Sequence, residues 1–209
     1  MNKKKHSTLT AFLAMIPIWI IVVIISLSLS ECTNKENPIP RRTAYPRINL
    51  CDTVYVKSYL LPVNFEINAE AIASENNSNN TNDGSKWINV FYPKYNATLY
   101  YTYTPVTSST IDDVIDNRIE RISLNIGSLT SEMTEMNTPS GVIAKIISTP
   151  TSEVTPLQFI ATNNLSWVIS GAFCFNETTN ISTDSISPIL KAVNNDLFHT
   201  IKNLNNDAR

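Results

Sequence analysis

The side chains that could do chemistry are few. His6 stands in the basic head of the chain and His199 near its end, and these are its two histidines. A serine hydrolase would need His199 as general base, beside a nucleophile raised on a glycine-flanked turn. Gly84, Gly127, Gly141 and Gly171 are scattered, so neither that turn nor a phosphate-cradling loop can be drawn. Asp112 and Asp113 are adjacent carboxylates, but at the head of a helical pattern such acids serve the helix dipole. Cys51 and Cys174 can form a disulfide in an oxidising compartment or remain half-buried thiols, and they lack the further ligands a zinc site requires. An enzyme would then depend on acids gathered from distant loops, which nothing in the sequence favours. The expectation is a protein without catalytic residues, metal or cofactor.

A third thiol, Cys32, has a different chemistry open to it. Lys3, Lys4, Lys5 and His6 precede the uncharged run Leu9–Leu29, LTAFLAMIPIWIIVVIISLSL. A basic head before an apolar run is an export signal, and this run is long enough to span a bilayer as a helix. Directly after it, Leu29-Ser30-Glu31-Cys32 has the Leu-to-Cys spacing of a bacterial lipobox, with Glu31 where a small residue is expected. Two readings follow: cleavage with diacylation of Cys32, or an uncleaved signal anchor. In both, residues 1–31 are a leader or anchor and the body is exported and held at a membrane.

Residues 32–50 form a Pro/Arg-rich tether, in which Pro38 and Pro40 favour an extended backbone. Arg41 and Arg42 could reach anionic head groups. Residues 51–209 suit a single domain. With 43% apolar and 16% charged residues, the chain is globular in composition. Its formal net charge is −2 with no basic cluster, which argues against a nucleic-acid partner. Asn-x-Ser/Thr triplets at Asn76, Asn79, Asn96, Asn164, Asn176 and Asn180 are attributed to chance in an Asn-rich chain with a lipobox-like leader.

The elements that must carry these residues are legible as patterns. Val63–Ala69 alternates as a half-buried strand. Glu75–Lys86, ENNSNNTNDGSK, reads as a mobile polar loop. Trp87–Val106, WINVFYPKYNATLYYTYTPV, reads as two strands about a turn at Pro93–Asn96, central and covered on both faces. Its Trp and Tyr side chains could instead offer stacking surfaces to a sugar. Ser109 or Thr110 caps a helix expected over Thr110–Met136, with an apolar stripe running from Ile111 to Met133. Asp116, Arg118, Glu120 and Arg121 are its solvated face. Val142–Ser148, Thr155–Thr162 and Ser166–Phe175 read as an antiparallel meander, with Gly171 marking a bulge or a close backbone contact. Ser187-Pro188 opens a last helix with the stripe Leu190, Val193, Leu197, Ile201 and Leu204. The fold class expected is α+β, a mainly antiparallel sheet of about six strands packed with helices.

Three blocks resemble the GldD family of gliding motility lipoproteins from Bacteroidota. They are PRRTAYPRINL (Pro40–Leu50), the Trp87–Val106 stretch, and LQFIATNNLSWVISGAFCF (Leu157–Phe175). Ala44 and Ser170 depart from the family pattern, which is expected to have Gly and Arg there. The resemblance implies a periplasm-facing lipoprotein of the cell envelope, working with other gliding motility and type IX secretion subunits and without known catalysis. It also gives Arg42, Tyr45 and Arg47 a role in docking on the domain or a partner. The order of elements is similar to a PsbP-like α/β/α sandwich. The alternative function is a periplasmic module that binds glycan or another small ligand.

Overall fold

The structure, a computed structural model, describes residues 48–76, 83–152, 154–176 and 183–205, with side chains from 186 onward in the last stretch. It also describes five helical, exposed positions, Pro17, Ile20, Ile21, Val23 and Ile24. The chain divides into two units, Met1–Tyr45 and Pro46–Arg209. Among the described residues no helix is long and apolar enough to cross a membrane. The lipobox, Cys32, Arg42, Tyr45, Arg47 and the middle of the Asn-rich loop lie outside the described residues.

In chain order the second unit contains β1 (Tyr55–Ser58), β2 (Phe65–Asn68), β3 (Ile72–Glu75), β4 (Lys86–Tyr92), β5 (Ala97–Pro105), α1 (Ile111–Ile126), β6 (Glu132–Asn137), β7 (Ile143–Ser148), β8 (Leu157–Thr162), β9 (Trp167–Phe175) and α2 (Thr183–Asn203). Strands β3 to β9 form one antiparallel sheet in the order β3-β4-β5-β9-β8-β7-β6, and β1 pairs only with β2. The main sheet therefore has seven strands where about six were expected, flanked by a two-stranded ribbon. The turn between β4 and β5 is local chemistry. Pro93 opens a 3₁₀ turn over Pro93–Tyr95, and Asn96 takes the left-handed φ of 46° that reverses the chain.

Two strands of the sheet were not expected, β3 and β6 at its two edges, while Val63–Ala69 pairs with β1 outside it; β6 corrects the helix expected over Thr110–Met136. Gly127, at φ +56°, ends α1 by turning its N–H onto the Ser123 carbonyl. Glu132–Asn137 then pairs residue for residue with β7, and Met133, expected in the buried stripe, is 59% exposed. Glu and Met favour helix on their own, but an unpaired β7 edge offers a full ladder of backbone partners. The last helix begins earlier than expected, at Thr183, with Pro188 inside it, where the missing N–H removes one backbone bond.

Helices lie on opposite faces of the sheet. One face presents Ile88, Val90, Leu99, Tyr101, Phe159, Ile169 and Phe173 to Val193, Leu197 and Ile201 of α2 and to Phe65 of the ribbon. Its aromatic rings interlock: Tyr101 meets Phe65 and Phe159 edge-on, at centroid separations of 5.0 and 5.2 Å. Gly171 makes the second contact possible. It lies between Tyr101 and Phe159 in adjacent strands, and a Cβ there would collide with the Phe159 ring and the Tyr100 carbonyl. The close contact suggested by a glycine in this strand is thus present.

The opposite face is covered less fully. Ile111, Val114, Ile115 and Ile122 of α1 pack on Val106, Ile160 and Val168. Helix α1 lies over β8 and β9. Beyond it, Trp87, Asn89 and Phe91 of β4 are half-buried and Tyr100 of β5 is 42% exposed. The hairpin expected to be covered on both faces is sealed on one and half-open on the other, because α1 lies over β8 and β9.

Candidate functional site

Polar side chains gather at three places, and the first surrounds His199. Its Nε2 lies 2.7 Å from Glu66 Oε2 and 3.0 Å from Asn203 Nδ2, while Asn203 also donates to Glu66 at 3.2 Å. Tyr55 stacks flat on the imidazole, with ring centroids 3.6 Å apart. One turn earlier in α2, Asp196 accepts from Tyr55 Oη at 2.9 Å and from Asn68 Nδ2 at 3.3 and 3.2 Å on its two oxygens. Burial raises the Asp196 carboxyl above its ordinary range, against the lowering effect of those donors. Burial, and next the carboxylate it donates to, push the Tyr55 phenol up to about 12.

Chemically this cluster has an acid and a base but lacks a nucleophile. Ser, Thr and Cys hydroxyls or thiols do not contact His199 among its described hydrogen bonds; its partners are a carboxylate, an amide and an aromatic face. The nearest hydroxyl of α2, Thr200, is turned to the Glu66 and Asp196 carbonyls at 2.7 and 3.0 Å. What the cluster does is fasten β1 and β2 onto α2. Asn68, expected on the polar face of its strand, is 1% exposed because this network takes it inside. Asp196 was legible as an anomaly, an acid three residues after Val193 and therefore in the apolar stripe of its helix.

The second cluster surrounds the first described residues of the second unit, Ile48–Cys51. Ile48 and Cys51 pack against the main core. The Cys51 N–H donates to Tyr95 Oη at 2.7 Å, and Lys94 Nζ reaches the Leu50 carbonyl at 3.4 Å. Lys94 also pairs with Glu70, at 2.6 Å to one carboxylate oxygen. Lys94 and the Cys51 thiol together hold the Glu70 carboxyl below its usual range. Cys51 and Cys174 are both free thiols, and burial pushes each upward.

The third place is a solvent-open cleft of about 180 Å³ between α1 and the half-open face of the sheet. Its floor is a row across three strands, Tyr100, Ala172 and Gln158, followed by Thr102 beside Ser170. Its wall is α1, through Arg118, Arg121, Ile122 and Asn125, which recur at the spacing of one helix face. Arg118, expected on the solvated face, is instead half-buried against the sheet and donates to Thr104 Oγ1 at 3.3 Å. Burial, and next the neighbouring Arg121 charge, lower its guanidinium from the ordinary value.

Of the residues singled out in the sequence, Cys51 joins the tether cluster, Cys174 sits on β9, and Cys32, Arg42, Tyr45 and Arg47 lie outside the described residues. Among the described residues no group of three or more His, Cys, Asp or Glu is placed to hold a metal ion. No curated protein and no solved structure matches the chain. The family model described as gliding motility lipoprotein GldD matches residues 35–205. The chain belongs to that family.

Proposed function

We propose, with this family membership as premise, that the protein is a non-enzymatic, membrane-tethered accessory subunit of the gliding motility and type IX secretion machinery. It is held by a lipid on Cys32, faces the periplasm, and docks on other subunits through Arg42, Tyr45 and Arg47. The observation that carries the tethering part is the stitching of the domain's first residues. Leu50 and Cys51 are bonded to Lys94 and Tyr95, whose turn joins the two strands of the Trp87–Val106 stretch. A pull on the tether thus reaches the sheet at a defined point. The non-enzymatic part is supported by His199, whose ring is engaged by Glu66, Asn203 and Tyr55 in a fastening role.

The test is complementation of a deletion strain with wild type or Cys32→Ala, combined with labelling by a fatty-acid probe. The proposal expects label on the wild type alone, and loss of gliding and of cargo secretion in the deletion strain. Unchanged motility and secretion after deletion would refute the accessory role, and equal labelling of Cys32→Ala would refute the lipid site. A second reading, a small-ligand module, is supported by the half-open aromatic face and the arginine-walled cleft beside it.

A further inference from the structure

The cleft under α1 holds two cations without a described counter-ion. Among the described residues neither Arg118 nor Arg121 is paired with a carboxylate, although Asp112, Asp113, Asp116 and Glu120 lie on the same helix. Two guanidinium groups close enough to repel one another, one of them half-buried, are stabilised by an anion between them. A second feature points the same way. Gln158, on the cleft floor, is 2% exposed; its Oε1 accepts from Asn125 at 2.8 Å, while its enclosed Nε2 has no described partner. A buried amide donor without an acceptor is a rare and costly state in a folded protein. An acceptor supplied by a ligand relieves it.

The walls limit what kind of anion fits. Ser170 and Ala172, with the Gly171 backbone between them, form the middle of the floor, so only small side chains stand there and Ala172 lies between Tyr100 and Gln158. A cavity of about 150 Å³ accepts one six-membered ring, so a cleft of about 180 Å³ has room for one ring, with its open side free for substituents. Tyr100, 42% exposed at the rim, offers a flat face to a sugar ring. Thr102 and Ser170 place hydroxyls along the floor for ring oxygens.

We propose that this cleft binds an anionic monosaccharide unit, its acidic group held by Arg118, Arg121 and the Gln158 amide and its ring laid against Tyr100. This deepens the ligand-binding reading and is independent of the tethering one. The shared chemistry is a planar or tetrahedral oxyanion on a pyranose, which a sugar acid or a sugar phosphate can supply.

The experiment is titration of the full chain in a zwitterionic detergent with glucuronate, glucose 6-phosphate and glucose, followed by calorimetry. Saturable binding of either acidic sugar, with glucose at least tenfold weaker, is the expected result. The tighter of the two acidic sugars then identifies the oxyanion. Arg121→Gln should weaken that binding at least tenfold with its melting temperature unchanged, since Arg121 is exposed and unpaired among the described residues. Gln158→Leu, which removes the unpartnered amide, should weaken it similarly. Equal binding of glucose overturns the anion assignment and leaves a ligand-binding module standing. Absence of binding by all three sugars overturns both, and undiminished binding by Arg121→Gln overturns this location.

Discussion

Asn68→Asp is the substitution that most directly probes the fastening of the ribbon to α2. It is nearly isosteric, and Asp keeps the oxygen that accepts the Glu70 N–H at 3.0 Å. It deletes the Nδ2 that donates to the Asp52 carbonyl at 2.8 Å and to both oxygens of Asp196, replacing it with a second carboxylate oxygen about as close. Losing this donor and setting a second carboxylate against the buried Asp196, which keeps only its Tyr55 donor from this network, costs about 3–5 kcal/mol. At about 2–4 °C per kcal/mol for a domain of this size, the melting temperature falls by roughly 6–20 °C at pH 7.5.

The sign of the pH dependence follows from the same contact. The Asp196 carboxyl is already raised in the folded wild type, so the folded state binds protons more tightly than the unfolded chain. Its contribution is therefore most favourable below the unfolded aspartate value of about 3.9 and declines as pH rises through the folded value. Two facing carboxylates raise the folded value further, since they cannot both ionise at this separation. The variant should thus recover part of its lost stability as pH falls from 7.5 toward 4.5, and by more than the wild type gains. Thermal unfolding followed by circular dichroism at both pH values measures this. A variant as stable as wild type at pH 7.5, or one with an unaltered pH profile, would refute the Asn68–Asp196 contact and the role assigned to it.

Three further outcomes follow from the geometry. Gly171→Ala forces a Cβ into the Phe159 ring and the Tyr100 carbonyl, and should lower stability by about 3 kcal/mol in urea denaturation; a wild-type midpoint would contradict the packing. Tyr95→Phe removes the acceptor of the Cys51 N–H and should speed hydrogen exchange at that amide roughly fivefold, the equivalent of about 1 kcal/mol, with β9 amides unaffected. Alkylation without reductant should modify both Cys51 and Cys174 in urea and do so more slowly in the native protein, since burial raises both thiols; a pair that resists alkylation in urea until reduced would mean a disulfide.

Local pattern was readable where one period dominated. The meander and the hairpin came through because Leu157–Thr162, Trp167–Phe175 and Lys86–Tyr92 combine β-branched and aromatic residues with Pro or Asn turns. Strand β6 did not, because EMTEMN continues a helical stripe and becomes a strand only through a partner edge it cannot signal. The same holds for side chains. Asn68 stands 128 residues before Asp196 and reads as surface until that acid, out of place in an apolar stripe, is set against it. Arg118 was misread for a related reason. A guanidinium on a helix reads as solvated, yet the spacing from Ile115 to Arg118 to Ile122 puts it on the covered face. The Trp87–Val106 aromatics were read as core, and the structure divides them: Tyr92, Tyr101 and Tyr103 are inside, while Tyr100 borders the cleft.

The arrangement separates two duties by face. Force arriving along the proposed tether would meet Ile48 packed against the core, then the Leu50 and Cys51 bonds to the β4–β5 turn, then the Asp52 carbonyl held by Asn68. Asn68 passes that constraint to Asp196, and Glu66 passes it through His199 and Thr200, so α2 and the ribbon are loaded together. All of this lies on the face of the sheet that α2 covers. The arginine-walled cleft opens on the other face, under a helix that shares none of these bonds. An occupant there would therefore leave the anchoring contacts untouched, and a pull on the tether would leave the cleft walls in place. That separation is what a tethered domain needs if it is to hold a ligand under load, and it predicts that Asn68→Asp and Arg121→Gln act additively on stability and binding.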